Sequence, residues 1–167
     1  GLVGSEMCIR DSYPVANRIY VSHDEKVANL ENEIGNFNIG VNRYALNIKS
    51  DGMIEIIKNY SLMLEENQSF FFDGSIPEIY RYRIAGLPHA LRLSEYEKEL
   101  PWDTKYLWVD GFHSDWWLED LNILKLSEKH EVIFVSPELH GRKPDKAWDW
   151  IAKQRKDGNR NLSICTD

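Results

Sequence analysis

Cysteine is nearly missing from this 167-residue chain, which holds only Cys8 and Cys165. A disulfide-stapled fold needs paired cysteines at regular spacings, so none is indicated, and scarce cysteine suits a cytoplasmic more than a secreted protein. Long apolar runs are missing too: no stretch reaches the roughly 20 residues that a membrane-spanning helix requires. Positive charge is in deficit, with 20 Lys and Arg against 27 Asp and Glu, a net charge of -7 and a sequence pI near 5.3. That balance argues against a nucleic-acid or anionic-membrane binder, whose affinity comes from neutralising phosphates. A small anionic substrate stays open, because local charge matters more than net charge. Equally absent are a glycine-rich phosphate loop behind a strand, a Cys/His cluster at zinc spacing and a nucleophile elbow.

What is present is a repeated pattern. Six short apolar, β-branched or aromatic runs stop abruptly on polar residues: Arg43 to Lys49, Ser69 to Asp73, Pro88 to Arg92, Tyr106 to Asp110, Glu131 to Glu138 and Asn161 to Asp167. This is the pattern of buried parallel strands whose C-terminal ends open onto a polar site. Arg18 to Ser22, ending on His23-Asp24, reads as a seventh strand. Amphipathic stretches separate the runs. Met53, Ile56, Ile57, Tyr60, Met63 and Leu64 fall at helical spacing behind Ser50 or Asp51; Ile76 to Ile84 is opened by Pro77 and closed by Gly86. Ser94 to Leu100 predicts two turns before Pro101, Trp116 to Leu126 a further helix, and Ala147, Trp148 and Ile151 one more before Gly158.

Strand and helix alternate, so the expected class is α/β with parallel strands. A full eight-unit barrel needs about 250 residues. The expectation is therefore an incomplete TIM (β/α) barrel lacking its first strand and final helix, a chain truncated at both ends. Residues 1–12 resemble a translated sequencing adapter and are set aside as a non-native leader, which leaves residues 13–167 as the partial barrel.

Candidate site residues follow from the strand ends. Asn47 and Lys49, two apart on one strand, share a face; Lys49 can alternatively snorkel to solvent. Asp73 ends an all-Phe strand and can bind a cation or cap the next helix near Ser75. Arg92, between Leu91 and Leu93, needs an anionic partner, met by a substrate phosphate or by an internal carboxylate such as Glu95. Asp110 and Glu138 sit at neighbouring strand ends, with His140 and Arg142 in the following loop, suited to an anionic or hydroxylated ligand or to holding the loop itself. His113 lies on a loop at the same edge. His89 and His130 begin strands, the face associated with stability. Trp116 and Trp117 read as helix packing more readily than as stacking platforms.

His23-Asp24, Asn47-Ile-Lys49, Arg92-Leu-Ser-Glu95 and the series of strand ends together resemble the glycerophosphodiester phosphodiesterase family, within the phospholipase-C-like phosphodiesterases built on a TIM barrel. The likeness runs from about residue 18 to 167, and Val135-Ser-Pro-Glu-Leu-His-Gly-Arg142 is similar to a bacterial branch of that group. The resemblance implies metal-assisted hydrolysis of a phosphodiester, with histidines as acid and base and a divalent cation, Mg or Ca, held by carboxylates. His23 matches one such histidine and Lys49 a phosphate-facing lysine. Arg92, Glu95, Asp110, Glu138, His140 and Arg142 become substrate-binding candidates, and Asn47 and Asp73 metal candidates. Asn47 stands where the family carries a carboxylate, and it is a weaker ligand for a hard cation. The other histidine and the paired metal carboxylates belong upstream, so the chain by itself is expected to be inactive. The implied partner is a small anionic glycerophosphodiester or phospholipid-headgroup-like substrate. Two alternatives compete: a catalytically silent barrel binding a phosphorylated or glycan ligand, and a glycoside hydrolase using two carboxylates such as Asp73 and Glu138.

Overall fold

A computed structural model describes residues 2–5, 19–21, 44–48, 52, 54, 70–159 and 161–166. The described elements are β1 (Leu2–Ser5), β2 (Ile19–Val21), β3 (Tyr44–Asn47), β4 (Phe70–Phe72), α1 (Ile76–Ile84), β5 (Ala90–Leu93), β6 (Tyr106–Val109), a 3-10 turn (Trp116–Glu119), α2 (Leu121–Leu126), β7 (Glu131–Val135), a second 3-10 turn (Pro137–His140), α3 (Asp145–Lys156) and β8 (Leu162–Thr166). Each of the seven expected runs coincides with a strand, β5 extending one residue past Arg92. His23, Lys49, Asp167 and most of the helix expected after Lys49 lie outside the described residues.

The strands form two sheets. One has the order β2-β8-β7-β6-β5 and is parallel throughout; the other has the order β1-β3-β4, with β3 and β4 parallel. A parallel bridge between Phe71 and His89 links β4 to the start of β5, its Phe71 N–H donating to the Pro88 carbonyl at 3.0 Å. At the opposite ends of the two sheets, β1 lies against β2. The protein is thus an α/β structure built mainly on parallel strands. The exception to the expected parallel pattern is β1, from the segment set aside as a leader, which runs antiparallel to β3. Leu2 to Ser5 supplies main-chain partners to the edge that β3 would otherwise leave open.

Period-two alternation sorts the strand residues onto two faces. On the helix face, Leu46, Phe71, Leu91, Leu93, Leu107, Val109, Val132, Phe134, Leu162 and Ile164 pack against Ile79 and Tyr82 of α1, Trp117, Ile123 of α2, and Ala147 and Ile151 of α3. On the other face, Ala45, Phe70, Phe72, Ala90, Tyr106, Trp108, Ile133, Val135 and Cys165 form a second, aromatic-rich cluster drawn from both sheets. Phe70 stacks on Tyr106 with centroids 4.2 Å apart and Phe72 on Trp108 at 3.9 Å. Ala90, on the strand between them, carries only a methyl group and leaves room for both stacks. Such pairs add about 0.5–1.5 kcal/mol each beyond the area they bury.

The helices follow local signals where those are strong. Ser75 caps α1, its Oγ accepting from the Glu78 N–H at 3.3 Å, with Pro77 in the first turn and Gly86 following in the left-handed region at φ 71. Capping thus falls to Ser75 and not to Asp73. The apolar face from Trp116 onward is broken by Asp120, which accepts from the Asn122 N–H and starts α2 anew. No helix forms over Ser94 to Leu100. Ser94 Oγ accepts from the Tyr96 N–H at 3.1 Å and the Ser94 and Glu97 main chains bond each other, giving that backbone a turn in place of a helix.

At the strand starts, His89 is buried between two fixed partners. Trp102 Nε1 donates to its Nε2 at 3.0 Å, so Nδ1 carries the proton and donates to the Leu87 carbonyl at 2.9 Å. Burial first, with the Arg83 charge adding, pushes its pKa below the ordinary value and outweighs the Leu87 bond. The unfolded chain therefore takes up a proton that the folded one refuses below about pH 6.5, and stability falls as pH drops through that range. Urea denaturation at pH 7 and pH 5 is expected to show this loss. It should be smaller in His89→Gln, whose amide still accepts from Trp102 without titrating.

Candidate functional site

The aromatic face of β5 ends on a charge. Arg92 stands two residues beyond Ala90 and pairs in register with Trp108, which puts its guanidinium at the C-terminal edge of the sheets. Its Nε and Nη2 donate to the two oxygens of Glu97 at 2.6 and 3.0 Å, and its Nη1 donates to Asp73 at 2.6 Å. Asp73 in turn accepts from Asn47 Nδ2 at 3.2 Å. Three strand ends, β3, β4 and β5, are therefore joined side chain to side chain. Asp73 has φ 69, the left-handed region that non-glycine residues seldom occupy and that Asp tolerates better than most. The Glu97 hydrogen bond, against burial and helped by the Asp73 charge, holds the Arg92 proton more firmly than usual. Arg92's internal partners are Glu97 and Asp73 rather than the expected Glu95.

Glu95 instead clamps the next loop. Its carboxylate accepts from the backbone N–H groups of Phe112, His113 and Ser114 at 3.0, 3.0 and 3.1 Å. Burial alone would raise its pKa, but these donors and its own N–H outweigh it and hold the group at about 2. The clamp therefore stays ionised through the acidic range down to about pH 2. Gly111 permits the turn: a Cβ there would lie 2.3 Å from the Ser114 carbonyl oxygen. The two loops, tied together, bring Arg92, Tyr96, Glu97, Phe112 and His113 around an open cleft of about 530 Å³.

Beyond β6, Asp110 and His140 form a pair, Nε2 to Oδ1 at 2.7 Å. Asp110 is buried, and burial first, then the nearby Asp73 charge, raises its pKa despite the His140 bond. An ionised Asp110 accepts, so His140 Nε2 carries the proton and Nδ1 is left as the basic nitrogen. Phe112 connects this pair to the first network: its ring lies 5.9 Å from the Arg92 guanidinium carbon and 5.3 Å from the His140 ring. Glu138 accepts from Ser136 and from Thr166 at the end of β8, while Trp148 Nε1 donates to Ser136 at 2.7 Å. Arg142 Nη2 donates to Asp115 at 3.0 Å, and its Nε and Nη1 are buried without a partner.

Six of the expected residues thus gather at the C-terminal edge: Asn47, Asp73, Arg92, Asp110, Glu138 and His140. Glu95 and Arg142 serve the loops above it. His23 and Lys49 lie outside the described residues, so the structure places neither. Glu97, Tyr96, Phe112 and Asp115 were not singled out from the sequence. Glu97 follows Arg92 closely enough to have been a second candidate partner, but Phe112 carries no chemical signature of a site. As for a divalent cation, among the described residues no three His, Cys, Asp or Glu side chains stand together as a metal group. Asn47 Oδ1 is a buried acceptor without a partner, but both Asp73 oxygens already have donors. The described residues alone do not fit such an ion. No helix among the described residues is long and apolar enough to cross a membrane. Comparison with protein-family models, curated proteins and solved structures finds no match in any of the three.

The Arg92 node makes a direct claim on stability. Replacing Arg92 by Met leaves Asp73 and Glu97 facing each other without their shared donor, and a loss of about 1–3 kcal/mol in urea unfolding is expected. Arg92→Lys should recover only part of it, because a single ammonium cannot reproduce the fork. If the Met variant unfolds at the wild-type urea midpoint, the node is not what ties these strand ends together.

Proposed function

We propose that the chain carries part of a phosphodiester hydrolase site of the (β/α)-barrel type, with His140 as an acid–base group oriented by Asp110. One observation carries the reading: polar and charged side chains from β3, β4, β5 and the loops after β6 and β7, joined by hydrogen bonds and through the Phe112 ring, meet at the C-terminal edge of parallel strands. Barrel enzymes build their sites at that edge. Support for closure comes from the aromatic cluster shared by both sheets, the Phe71–His89 bridge at one junction and the β1–β2 contact at the other. The sequence resemblance supplies the reaction class.

In this reading Asp110 holds the His140 tautomer and stabilises the imidazolium. His140 Nδ1 accepts a proton from the attacking water or hydroxyl and returns one to the leaving alkoxide. Arg92 has two N–H groups left after its carboxylate bonds, enough for one phosphate oxygen. His23 and Lys49 are the further groups this reading assigns to the site.

A second reading is favoured by the closure of Arg92. Two carboxylates already neutralise its charge, as suits a barrel that binds a ligand without turning it over. Titration with glycerophosphoethanolamine, followed at the imidazole resonances by NMR, tests both. The diester is expected to move the His140 signals and to bind about tenfold more weakly to His140→Gln. Where turnover is measured, that variant should lower kcat by about 10²- to 10⁴-fold, with KM rising about as far as binding weakens. Diester binding that His140→Gln leaves unaltered selects the second reading, and a diester that leaves the His140 signals unmoved overturns the first.

A further inference from the structure

Of the residues that line the cleft, the phosphodiester reading uses Arg92 to hold phosphate and leaves Tyr96, Glu97, Phe112 and His113 without a role in binding. Its walls are rings: Tyr96 and Phe112 have centroids 6.1 Å apart and are inclined at 45°, and His113 stands nearly square to Tyr96 at 81°. The Tyr96 hydroxyl and His113 Nε2 are hydrogen-bonded at 2.5 Å, which ties the two sides of the mouth. The floor is the Arg92–Glu97 pair.

That floor limits what the cleft can hold. Arg92 and Glu97 compensate each other, so the pair gives neither an isolated cation nor an isolated anion a net charge to bind. What the pair offers is alternation: the two Arg92 N–H donors left by its carboxylates, open to a ring hydroxyl in place of a phosphate oxygen, beside Glu97 lone pairs. A vicinal diol, each hydroxyl both donor and acceptor, matches that edge, while the C–H face of a saturated ring matches the apolar faces of Tyr96 and Phe112. The site is also built in advance. Glu95 holds the 112–114 backbone, and Ser94 Oγ donates to Glu97 at 3.1 Å while accepting from the Tyr96 N–H. A ligand would therefore meet loops already ordered, which lowers the cost of binding.

We infer that the cleft formed by Arg92, Tyr96, Glu97, Phe112 and His113 binds a neutral polyhydroxylated ring, a cyclic polyol or a sugar. The ring can arrive free or as the alcohol moiety of a phosphodiester, and only the second source rests on the proposed function.

The test is saturation-transfer NMR and calorimetry on the full chain with myo-inositol, methyl α-glucoside, glycerophosphoinositol, glycerophosphoethanolamine, choline and inorganic phosphate. Free rings are expected to bind in the millimolar range, with saturation reaching their C–H protons. Tyr96→Ala should weaken them at least about fivefold, as expected for a lost aromatic contact worth ~1 kcal/mol. Tyr96 is 72% exposed, so its removal leaves the core intact. Tyr96→Phe, which keeps the ring, should retain most of the binding. Free rings that bind while every phosphodiester fails uphold the cleft and remove the phosphodiester reading. If free rings fail, glycerophosphoinositol preferred over glycerophosphoethanolamine, with the preference lost in Tyr96→Ala, upholds the inference for a ring carried on a phosphodiester. Rings that bind in neither form, binding indifferent to Tyr96→Ala, or tighter binding of choline or phosphate in the cleft each overturns it.

Discussion

A single guanidinium shared between two carboxylates organises the polar edge of this protein. Arg92 reaches Asp73 at the end of β4 and Glu97 in the loop after β5, and through Asp73 it reaches Asn47 on β3. A charge above an aromatic cluster is tolerated when it is paired, and the fork geometry of arginine lets one residue pair with two chain segments at once. The left-handed backbone at Asp73, the turn at Ser94 to Glu97 and the placing of Tyr96 all accompany that arrangement. The same sharing limits function, because the Arg92 charge is compensated before any ligand arrives.

Beneath this edge the two faces of the sheets are divided. The aliphatic residues of β5 to β8 meet the helices, whereas Phe70 and Phe72 of β4 meet Tyr106 and Trp108 of β6 across Ala90. Close packing of large rings on the second face gives the polar residues above it a stiff base. Loops add a second stage. The Glu95 carboxylate takes three backbone N–H groups of the loop after β6, a bond set that a neutral side chain could not replace, and Phe112 is carried by it to a place between Arg92 and His140.

Much of the architecture was legible residue by residue. Tyr106-Leu-Trp-Val and Glu131-Val-Ile-Phe-Val are continuous apolar runs too short for helices, and each is a buried parallel strand. Ile76 to Ile84 carries its start and stop signals in Ser75, Pro77 and Gly86, and the helix occupies that span. The failures have physical causes. Ser94 to Leu100 has helical periodicity, but its Ser and Glu side chains bond locally and to Arg92. The pairing of Leu2 to Ser5 with β3 depends on an edge that only the folded sheet presents. Glu95 was the nearer acid to Arg92 in sequence, yet the turn directs Glu97 to the guanidinium and Glu95 to the following loop.

The chain's own pattern of apolar runs and helix signals determined the α/β class, the strand spans and the rule that polar residues gather where strands end, because period-two and 3.6-residue burial are local properties. Which carboxylate neutralises Arg92, which aspartate orients His140 and which rings wall the cleft were decided by tertiary structure. Those choices depend on distances between segments 5 to 30 residues apart in the chain, and a side chain's partner is selected by the loop that delivers it, not by its neighbours in sequence.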